Sequence, residues 1–158
     1  MSEYPDTFDP AEITELRVAT AAIIHDGEGR VMLQHRTDNR HWGLPGGALA
    51  KGESIETGLR REVREETGYD VEVERVIAVY SDPAKKMIVR YPDNLVHYVV
   101  VVCACRITGA GPAERMPDPA ETLALEWFAL DELPEPMIPS HILRLQDFAA
   151  GRTEAFLR

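Results

Sequence analysis

The stretch GALAKGESIETGLRREVREETGY, residues 47–69, carries most of the fold information in this 158-residue chain. Its second half predicts a helix over residues 54–67, because Ser54 is a favourable N-cap and Gly68 is well placed to end the helix. The apolar positions of this segment recur every four residues, at Ile55, Leu59 and Val63. The helix is therefore expected to bury one stripe and to leave its other faces polar.

Three glutamates of this helix gather on one polar face. Glu62, Glu65 and Glu66 are spaced i, i+3 and i+4, and like charges at those spacings repel each other. The cluster makes sense if a divalent cation neutralises it, since hard cations such as Mg²⁺ prefer oxygen ligands and also bind substrate phosphates. Arg61 could orient one of these glutamates, or Glu53, by a charge-assisted hydrogen bond. The alternative interpretation of a bare glutamate cluster is a solvated, charged helix face.

The same stretch resembles the Nudix box, G-x5-E-x7-R-E-U-x-E-E-x-G-U, in which U is a bulky aliphatic residue. The matching positions are Gly47, Glu53, Arg61, Glu62, Val63, Glu65, Glu66 and Gly68. Tyr69 departs from the pattern at the final aliphatic position, which is expected to alter packing more than chemistry. Gly58 stands where alanine is common and costs up to ~1 kcal/mol of helix propensity. The chain is thus similar to the Nudix (MutT) hydrolases.

The resemblance extends beyond the box. Residues 34–36 and 42–47 resemble the usual lead-in to the box, and residues 126–133 resemble the strand and helix start that commonly close such a domain. It implies an α/β fold, the Nudix α/β/α sandwich, with a mixed β-sheet between helices. We assign residues 1–16 to an acidic N-terminal arm and residues 17–158 to the Nudix hydrolase domain.

Other segments read as strands and a second helix. Residues 16–25 and 31–35 predict a β-hairpin across the turn at residues 26–29. Further strands are predicted at residues 71–80, 95–107 and 123–130, and a final helix at residues 138–150. The continuous apolar run within residues 95–107 indicates a strand buried on both faces. Cys103 and Cys105, inside that run, are expected to be small buried thiols.

The resemblance also implies the roles of the box residues. In Nudix hydrolases the R-E-U-x-E-E glutamates bind a divalent metal, and here they are Glu62, Glu65 and Glu66. The backbone carbonyl of Gly46, just before the box, often joins them. The first box glutamate, Glu53, supports the site through hydrogen bonds that include Arg61. The implied cofactor is Mg²⁺ or Mn²⁺, and the implied reaction is attack by water on a phosphorus of a nucleoside diphosphate linked to another moiety.

The base that takes the proton from the attacking water varies within the family. The candidates are Glu62 or Glu65 in the box and three acids of the loop at residues 109–122, namely Glu114, Asp118 and Glu121. We favour Glu121, because it directly precedes a strand. The alternative for any single loop acid is a role in solubility alone.

Substrate contacts are expected before the glycine-rich turn. Arg36 and Arg40 could contact phosphate, and Arg36 is preferred because it ends a strand aimed at the site. Trp42 could stack on a base or pack inside the fold. ADP-ribose-cleaving relatives often carry a proline a short distance past the box, comparable to Pro83. We therefore favour an ADP-ribose or nucleotide-sugar substrate over a (deoxy)nucleoside triphosphate; a non-catalytic nucleotide-binding module is the alternative of a different class.

The charge balance of the chain limits the classes of ligand that it is expected to bind. The chain has 17 Lys and Arg against 27 Asp and Glu, a net charge of −10. This argues against binding to nucleic acid polymers or anionic membranes, which need basic faces. No apolar run reaches the length of a membrane span, and residues 1–16 lack the basic start of a secretory signal. We expect a cytoplasmic enzyme with a small-molecule nucleotide substrate and a possible homodimeric assembly.

Overall fold

The computed structural model describes residues 3–109 and 117–158. In these ranges the helices are α1 (Ile55–Thr67) and α2 (Pro139–Ala149), with 3₁₀ turns at Pro10–Glu12 and Pro83–Lys85. The strands are β1 (Glu15–Ile24), β2 (Arg30–Arg36), β3 (Trp42–Gly43), β4 (Gly46–Ala48), β5 (Asp70–Tyr80), β6 (Ile88–Arg90), β7 (Leu95–Thr108), β8 (Thr122–Ala129) and β9 (Phe156–Leu157). Within the same ranges, no helix is long and apolar enough to cross a membrane.

A six-stranded mixed sheet forms the centre of the fold. Five of its strands follow the order β4-β1-β7-β5-β9, and β6 pairs with β7. β1 is parallel to β7 and antiparallel to β4, whereas β5 is antiparallel to β7 and parallel to β9. The segments predicted as strands at residues 71–80 and 95–107 are therefore direct neighbours.

The two helices cover opposite faces of this sheet. Leu59 of α1 belongs to a core that includes Ile24 of β1, whereas Leu145 of α2 belongs to a core that includes Ile23. Adjacent residues of a strand face opposite sides, so β1 supplies both cores. The predicted sandwich, with a mixed sheet between helices, is confirmed. Cys103 and Cys105 are buried free thiols, as expected.

The predicted hairpin between the first two strands is wrong. β2 pairs with β3 and β8 in a separate three-stranded sheet, and an isolated bridge from His25 to Val31 links it to the end of β1. β4 occupies the edge of β1 that a hairpin would need, pairing Gly46 with Ala21. A Cβ atom on Gly46 would overlap the Thr20 carbonyl oxygen, so this close pairing requires glycine.

Two further expectations about connecting segments need correction. No helix begins at residues 130–133, which form a turn; α2 begins at Pro139, close to the predicted start of the final helix. The loop expected between β5 and β7 contains the short strand β6. This strand also contacts the beginning of the chain, because Glu3 and Arg90 exchange two backbone hydrogen bonds of 2.8 and 2.9 Å. The division into an arm and a domain stays a prediction.

Candidate active site

The predicted helix of the box is present with both of its caps. The Ser54 side chain accepts a hydrogen bond from the Thr57 backbone N–H, and Gly68 adopts a left-handed conformation with φ +75°. Gly58 is buried in this helix, where a Cβ atom would overlap the Leu49 side chain. The packing of the loop before α1 therefore explains glycine at this position. These features hold the polar face of α1 against β4.

Arg61 joins the carboxylates of the box. Its guanidinium donates to both oxygens of Glu53, at 2.7 and 3.0 Å, to Glu62 at 2.7 Å and to Glu65 at 3.1 Å. It also donates to the Ala48 carbonyl oxygen. Hydrogen bonds from Arg61 and from the Ala50 N–H lower the pKa of Glu53 to about 2. The expected contact between Glu53 and Arg61 is thus present, and Arg61 orients two more glutamates as well.

Glu66 is the buried carboxylate of the group. Its exposed fraction is 4%, and its carboxylate accepts the Gly46 N–H at 2.7 Å. The Arg36 guanidinium lies 3.7 Å away. Burial, with smaller contributions from the charges of Glu62 and Glu121, raises the pKa of Glu66 to about 7 despite the opposing effects of Gly46 and Arg36. Ionised Glu66 is therefore costly at this place unless a cation compensates it.

The Glu62 carboxylate packs against Gly47, which has no side chain. A Cβ atom on Gly47 would stand 2.6 Å from the Glu62 carboxylate, so the glycine makes room for it. Burial raises the pKa of Glu62, and the charges of Glu65 and Glu121 act in the same direction. Thr122, the residue after Glu121, donates its hydroxyl to the Glu66 backbone carbonyl at 3.0 Å, so the end of this loop lies next to the box helix.

The donors of this cluster fit a hard divalent cation. They are carboxylate oxygens, and burial together with mutual repulsion makes their negative charges costly without a cation. In residues 3–109 and 117–158, no three His, Cys, Asp or Glu side chains are already gathered as a metal-binding group. Arg61 holds Glu62 and Glu65 instead, and Glu65, which is 53% exposed, has room to move.

The other acids considered as bases lie in different settings. Asp118 is exposed, and its carboxylate accepts the Ala120 N–H at 2.8 Å, so it stabilises its own turn. Glu114 lies outside the described residues. The Glu121 backbone N–H donates to the Asp118 carbonyl, and the Glu121 carbonyl accepts the Thr37 N–H. The Glu121 side chain takes part in neither bond and is exposed.

A cleft extends from β4 and the box to the first turns of α2. Its lining comes from β1 and β7, from Gly46 and Gly47 at the start of the box, and from residues of α2. Arg36 lines it and forms two hydrogen bonds of 3.0 Å with Asp38, which agrees with the expectation that Arg36 faces the site. Lys86 and Met87, which follow the 3₁₀ turn that begins at Pro83, also line it.

Arg40 and Trp42 are not brought to this cleft. Arg40 is exposed and does not line it. The Trp42 ring stacks on His35, with ring centroids 4.7 Å apart, and meets the edge of Phe128 at 4.9 Å. The packing alternative for Trp42 therefore describes its surroundings, and the assignment of these two residues to substrate binding is not supported.

Sequence reasoning missed several residues around the cleft. The buried Gln34 amide donates to the Thr122 hydroxyl at 2.7 Å, and Thr122 donates to the Glu66 backbone carbonyl at 3.0 Å. Two residues of α2 also line the cleft: Arg144, which is buried, and His141, which is half-buried. The period of the final helix could have placed them on its inward face, but no sequence signal linked that face to the box.

Comparisons with known proteins agree with this arrangement. A family model described as the NUDIX domain matches residues 15–148. A MutT-like protein of Streptomyces ambofaciens is 34% identical over 134 residues, which cover 85% of this chain and 77% of that protein. The human 8-oxo-dGDP phosphatase NUDT18 is 33% identical over 135 residues, which cover 84% of this chain and 38% of that protein. The crystal structure of an ADP-ribose pyrophosphatase from Streptococcus suis is 28% identical with a TM-score of 0.66, covering 90% of this chain and 98% of that one.

Proposed function

Because this chain belongs to the Nudix family and is a pyrophosphohydrolase of that family, we propose that its substrate is a nucleoside diphosphate linked to another moiety, of the ADP-ribose or nucleotide-sugar type. Products of this reaction are a nucleoside monophosphate and the phosphorylated second moiety. The small nucleotide substrate is general to the family, whereas the choice of second moiety is part of the proposal.

One observation carries the proposal. Glu66 lies between the Gly46 N–H and Arg36, and its burial, with smaller contributions from the charges of Glu62 and Glu121, raises its pKa to about 7. A carboxylate cluster of this kind at the rim of a cleft that contains arginines suits a ligand made of phosphates and a divalent cation. A purely structural helix face has no need of such buried like charges.

Nudix hydrolases generally need a divalent metal. We propose Mg²⁺ or Mn²⁺, held by Glu62, Glu65 and Glu66 with the Gly46 carbonyl. When bound, such a cation neutralises the pyrophosphate and lowers the pKa of a coordinated water. The residues of the chain provide the rest of the chemistry.

The remaining roles follow from contacts already described. Arg61 and Glu53 are positioning residues, because their hydrogen bonds restrict the rotamers of the metal-binding glutamates. Arg36 offers a guanidinium to a substrate phosphate at the Glu66 end of the cleft. Glu121 is the proposed base, since its carboxylate is exposed, the next residue, Thr122, bonds to the Glu66 backbone, and a carboxylate can accept a proton from an attacking water.

Two observations favour the ADP-ribose or nucleotide-sugar class. The Streptococcus suis protein of similar structure is named an ADP-ribose pyrophosphatase. The segment that begins at Pro83 leads directly into Lys86 and Met87, which line the cleft. The human relative, in contrast, is named for a nucleotide with a modified base, so relatives alone do not decide the substrate.

The test is a product analysis with Mg²⁺ over a matched panel. The panel contains ADP-ribose, UDP-sugars, GDP-sugars, dGTP and 8-oxo-dGTP, with products separated by ion-exchange chromatography. We expect nucleoside monophosphate from the diphosphate-linked compounds, with activity lost in EDTA and restored by added Mg²⁺. Preferential release of pyrophosphate from the triphosphates would overturn the substrate class, and activity unchanged by EDTA would overturn the metal mechanism.

A further inference from the structure

The side chain of Arg144 is buried at the α2 end of the cleft. Its exposed fraction is 5%, and its Nε atom has no hydrogen-bond partner. None of the residues in 3–109 and 117–158 forms an ion pair or a side-chain hydrogen bond with it. Asp147, one turn further along α2, accepts instead from Tyr80 at 2.7 Å and from Arg158 at 2.9 Å. The neighbour of Arg144 is the Tyr80 ring, whose centroid lies 5.6 Å from Cζ.

This arrangement is unusual for a stabilising residue. Buried charges in proteins are normally paired, because removing a charge from water without compensation costs free energy. Burial lowers the pKa of Arg144 to about 10, so the side chain still carries its charge at neutral pH. A cation over one aromatic ring recovers only part of that cost. The guanidinium is therefore poised to gain a partner from outside the chain.

The other charged groups near Arg144 indicate which charge that partner should carry. The charged side chains that line the cleft are Arg36, Asp38, Lys86 and Arg144, and of these the Lys86 ammonium already pairs with Asp6. Asp38 is occupied by Arg36. The first turn of α2, which contributes Ser140 to the cleft, has no side-chain cap and presents the positive end of the helix dipole. This end of the cleft therefore favours an anionic group.

We propose that Arg144 is a substrate-binding residue whose guanidinium binds a phosphate oxyanion of the substrate at the α2 end of the cleft. The inference rests on the proposed function, because a nucleoside diphosphate derivative brings its anions as phosphates. This phosphate oxyanion has two possible sources in the substrate. One is the pyrophosphate common to all substrates, and the other is a further phosphate present in only some of them.

The expected behaviour of Arg144→Met separates this role from a structural one. Methionine keeps a similar length of apolar side chain and removes the unpaired charge, a change that is commonly neutral or stabilising. We therefore expect the Tm of this variant to equal or exceed that of the wild type while anion binding weakens. A structural arginine would give the opposite pattern, a lower Tm with unchanged binding.

The first measurement is calorimetric titration of inorganic pyrophosphate into metal-free protein in EDTA. Arg144→Met should bind pyrophosphate about tenfold or more weakly than wild type, the usual value of a charge-assisted hydrogen bond. Arg144→Lys should recover part of the loss. The matched control is Arg152→Met, since Arg152 also lies over an aromatic ring, that of Phe156 at 4.4 Å, but is exposed and outside the cleft.

The second measurement compares ADP-ribose with its 2′-phosphate derivative. An increase in KM for both, with kcat nearly unchanged, identifies the common pyrophosphate as the source; an increase for the derivative alone identifies the additional phosphate. Wild-type affinity of Arg144→Met for pyrophosphate together with an unchanged KM for both compounds overturns the inference, and so does a loss that depends on the base of the nucleotide. If no panel nucleotide is hydrolysed but pyrophosphate binding depends on Arg144, only the proposed function fails.

Discussion

The charged side chains at the two ends of the cleft are paired in opposite ways. The end lined by Gly46 and Gly47 is called the α1 end, because these two glycines contact Glu66 and Glu62 of α1. Beside it, Arg61 shares its hydrogen bonds among Glu53, Glu62 and Glu65, so one cation is surrounded by acids. At the α2 end, Arg144 is a buried cation with no acidic partner among residues 3–109 and 117–158, and the half-buried His141 has a pKa well below its usual value. The α1 end is therefore suited to a cation and the α2 end to an anion, which are the two parts of a metal-bound pyrophosphate.

This difference also explains why overall charge is a poor guide to the site. The chain carries a net charge of −10, yet the lining of the cleft contains more basic than acidic side chains. Charge distribution inside a cleft, more than the sum over the chain, determines which ligand it favours. The following predictions test the contrast, beginning with the strongest effect.

Glu66→Gln should remove a charge that we propose to bind metal at the α1 end. We expect kcat to fall on the order of 10³-fold, because the amide keeps the size but loses the charge that stabilises the cation. The metal-free variant should be more stable than wild type at pH 8, since ionised Glu66 is buried. Steady-state assays and thermal denaturation in EDTA measure the two effects.

The control for this variant is Glu56→Gln, on the exposed face of the same helix. Glu56 pairs with Arg60 at 2.8 Å and lies away from the cleft. Its activity and Tm should stay near the wild-type values. Full activity of Glu66→Gln would contradict the assignment of Glu66 as a metal ligand.

Arg61→Lys should disturb the arrangement of the acids without removing any of them. A lysine has a single compact ammonium and cannot reproduce the planar fork of donors with which Arg61 bonds to three glutamates and the Ala48 carbonyl. We expect a 10–100-fold lower kcat/KM, roughly the cost of losing an outer-shell partner at a metal site. The apparent affinity for Mg²⁺, measured by activity against metal concentration, should weaken in parallel. Arg60→Lys, which changes an exposed pair, is the matched control, and equal effects in both would remove the special role of Arg61.

The α1 end could be predicted from the sequence because its interactions are local. The caps of α1, its buried stripe and the contact of Arg61 with Glu53 all lie within one segment of 23 residues. The α2 end could not, since the setting of Arg144 depends on strands more than forty residues away. The hairpin error has a similar origin: competition of β4 for one edge of β1 is a tertiary effect that turn residues do not encode.

Gly47→Ala and Gly43→Ala place the same methyl group at the two ends. A Cβ atom added to Gly47 would meet the Glu62 carboxylate at 2.6 Å, whereas one added to Gly43 would meet the His141 ring at 2.9 Å. We expect Gly47→Ala to lower kcat about tenfold by displacing Glu62, with a small change in Tm. Gly43→Ala should lower Tm more and kcat less. Circular dichroism melts and kinetics on both proteins give the comparison, and identical profiles would contradict separate roles for the two ends.

The two ends should also respond to pH with opposite sign in the metal-free protein. The folded-state pKa of Glu66 is raised to about 7, so its contribution to stability is greatest at acid pH and is lost as pH rises through that value. Burial and the charges of Arg144 and Arg36 lower the pKa of His141 well below its usual 6.5. As pH falls, the unfolded chain therefore protonates His141 at a higher pH than the folded chain does. The free energy of unfolding decreases below about pH 6.5, by at most ~1.4 kcal/mol per pH unit.

Two variants separate these opposing contributions to the pH dependence. The His141 Nδ1 atom accepts the Leu44 N–H at 2.9 Å, a bond that protonation removes. In His141→Asn, whose amide oxygen can accept the same bond, urea denaturation should show a smaller loss of stability between pH 7 and pH 5 than in wild type. In Glu66→Gln the loss should be larger than in wild type, because the stabilising proton uptake by Glu66 at acid pH is gone. Equal slopes for all three proteins would contradict the assignment of the two groups.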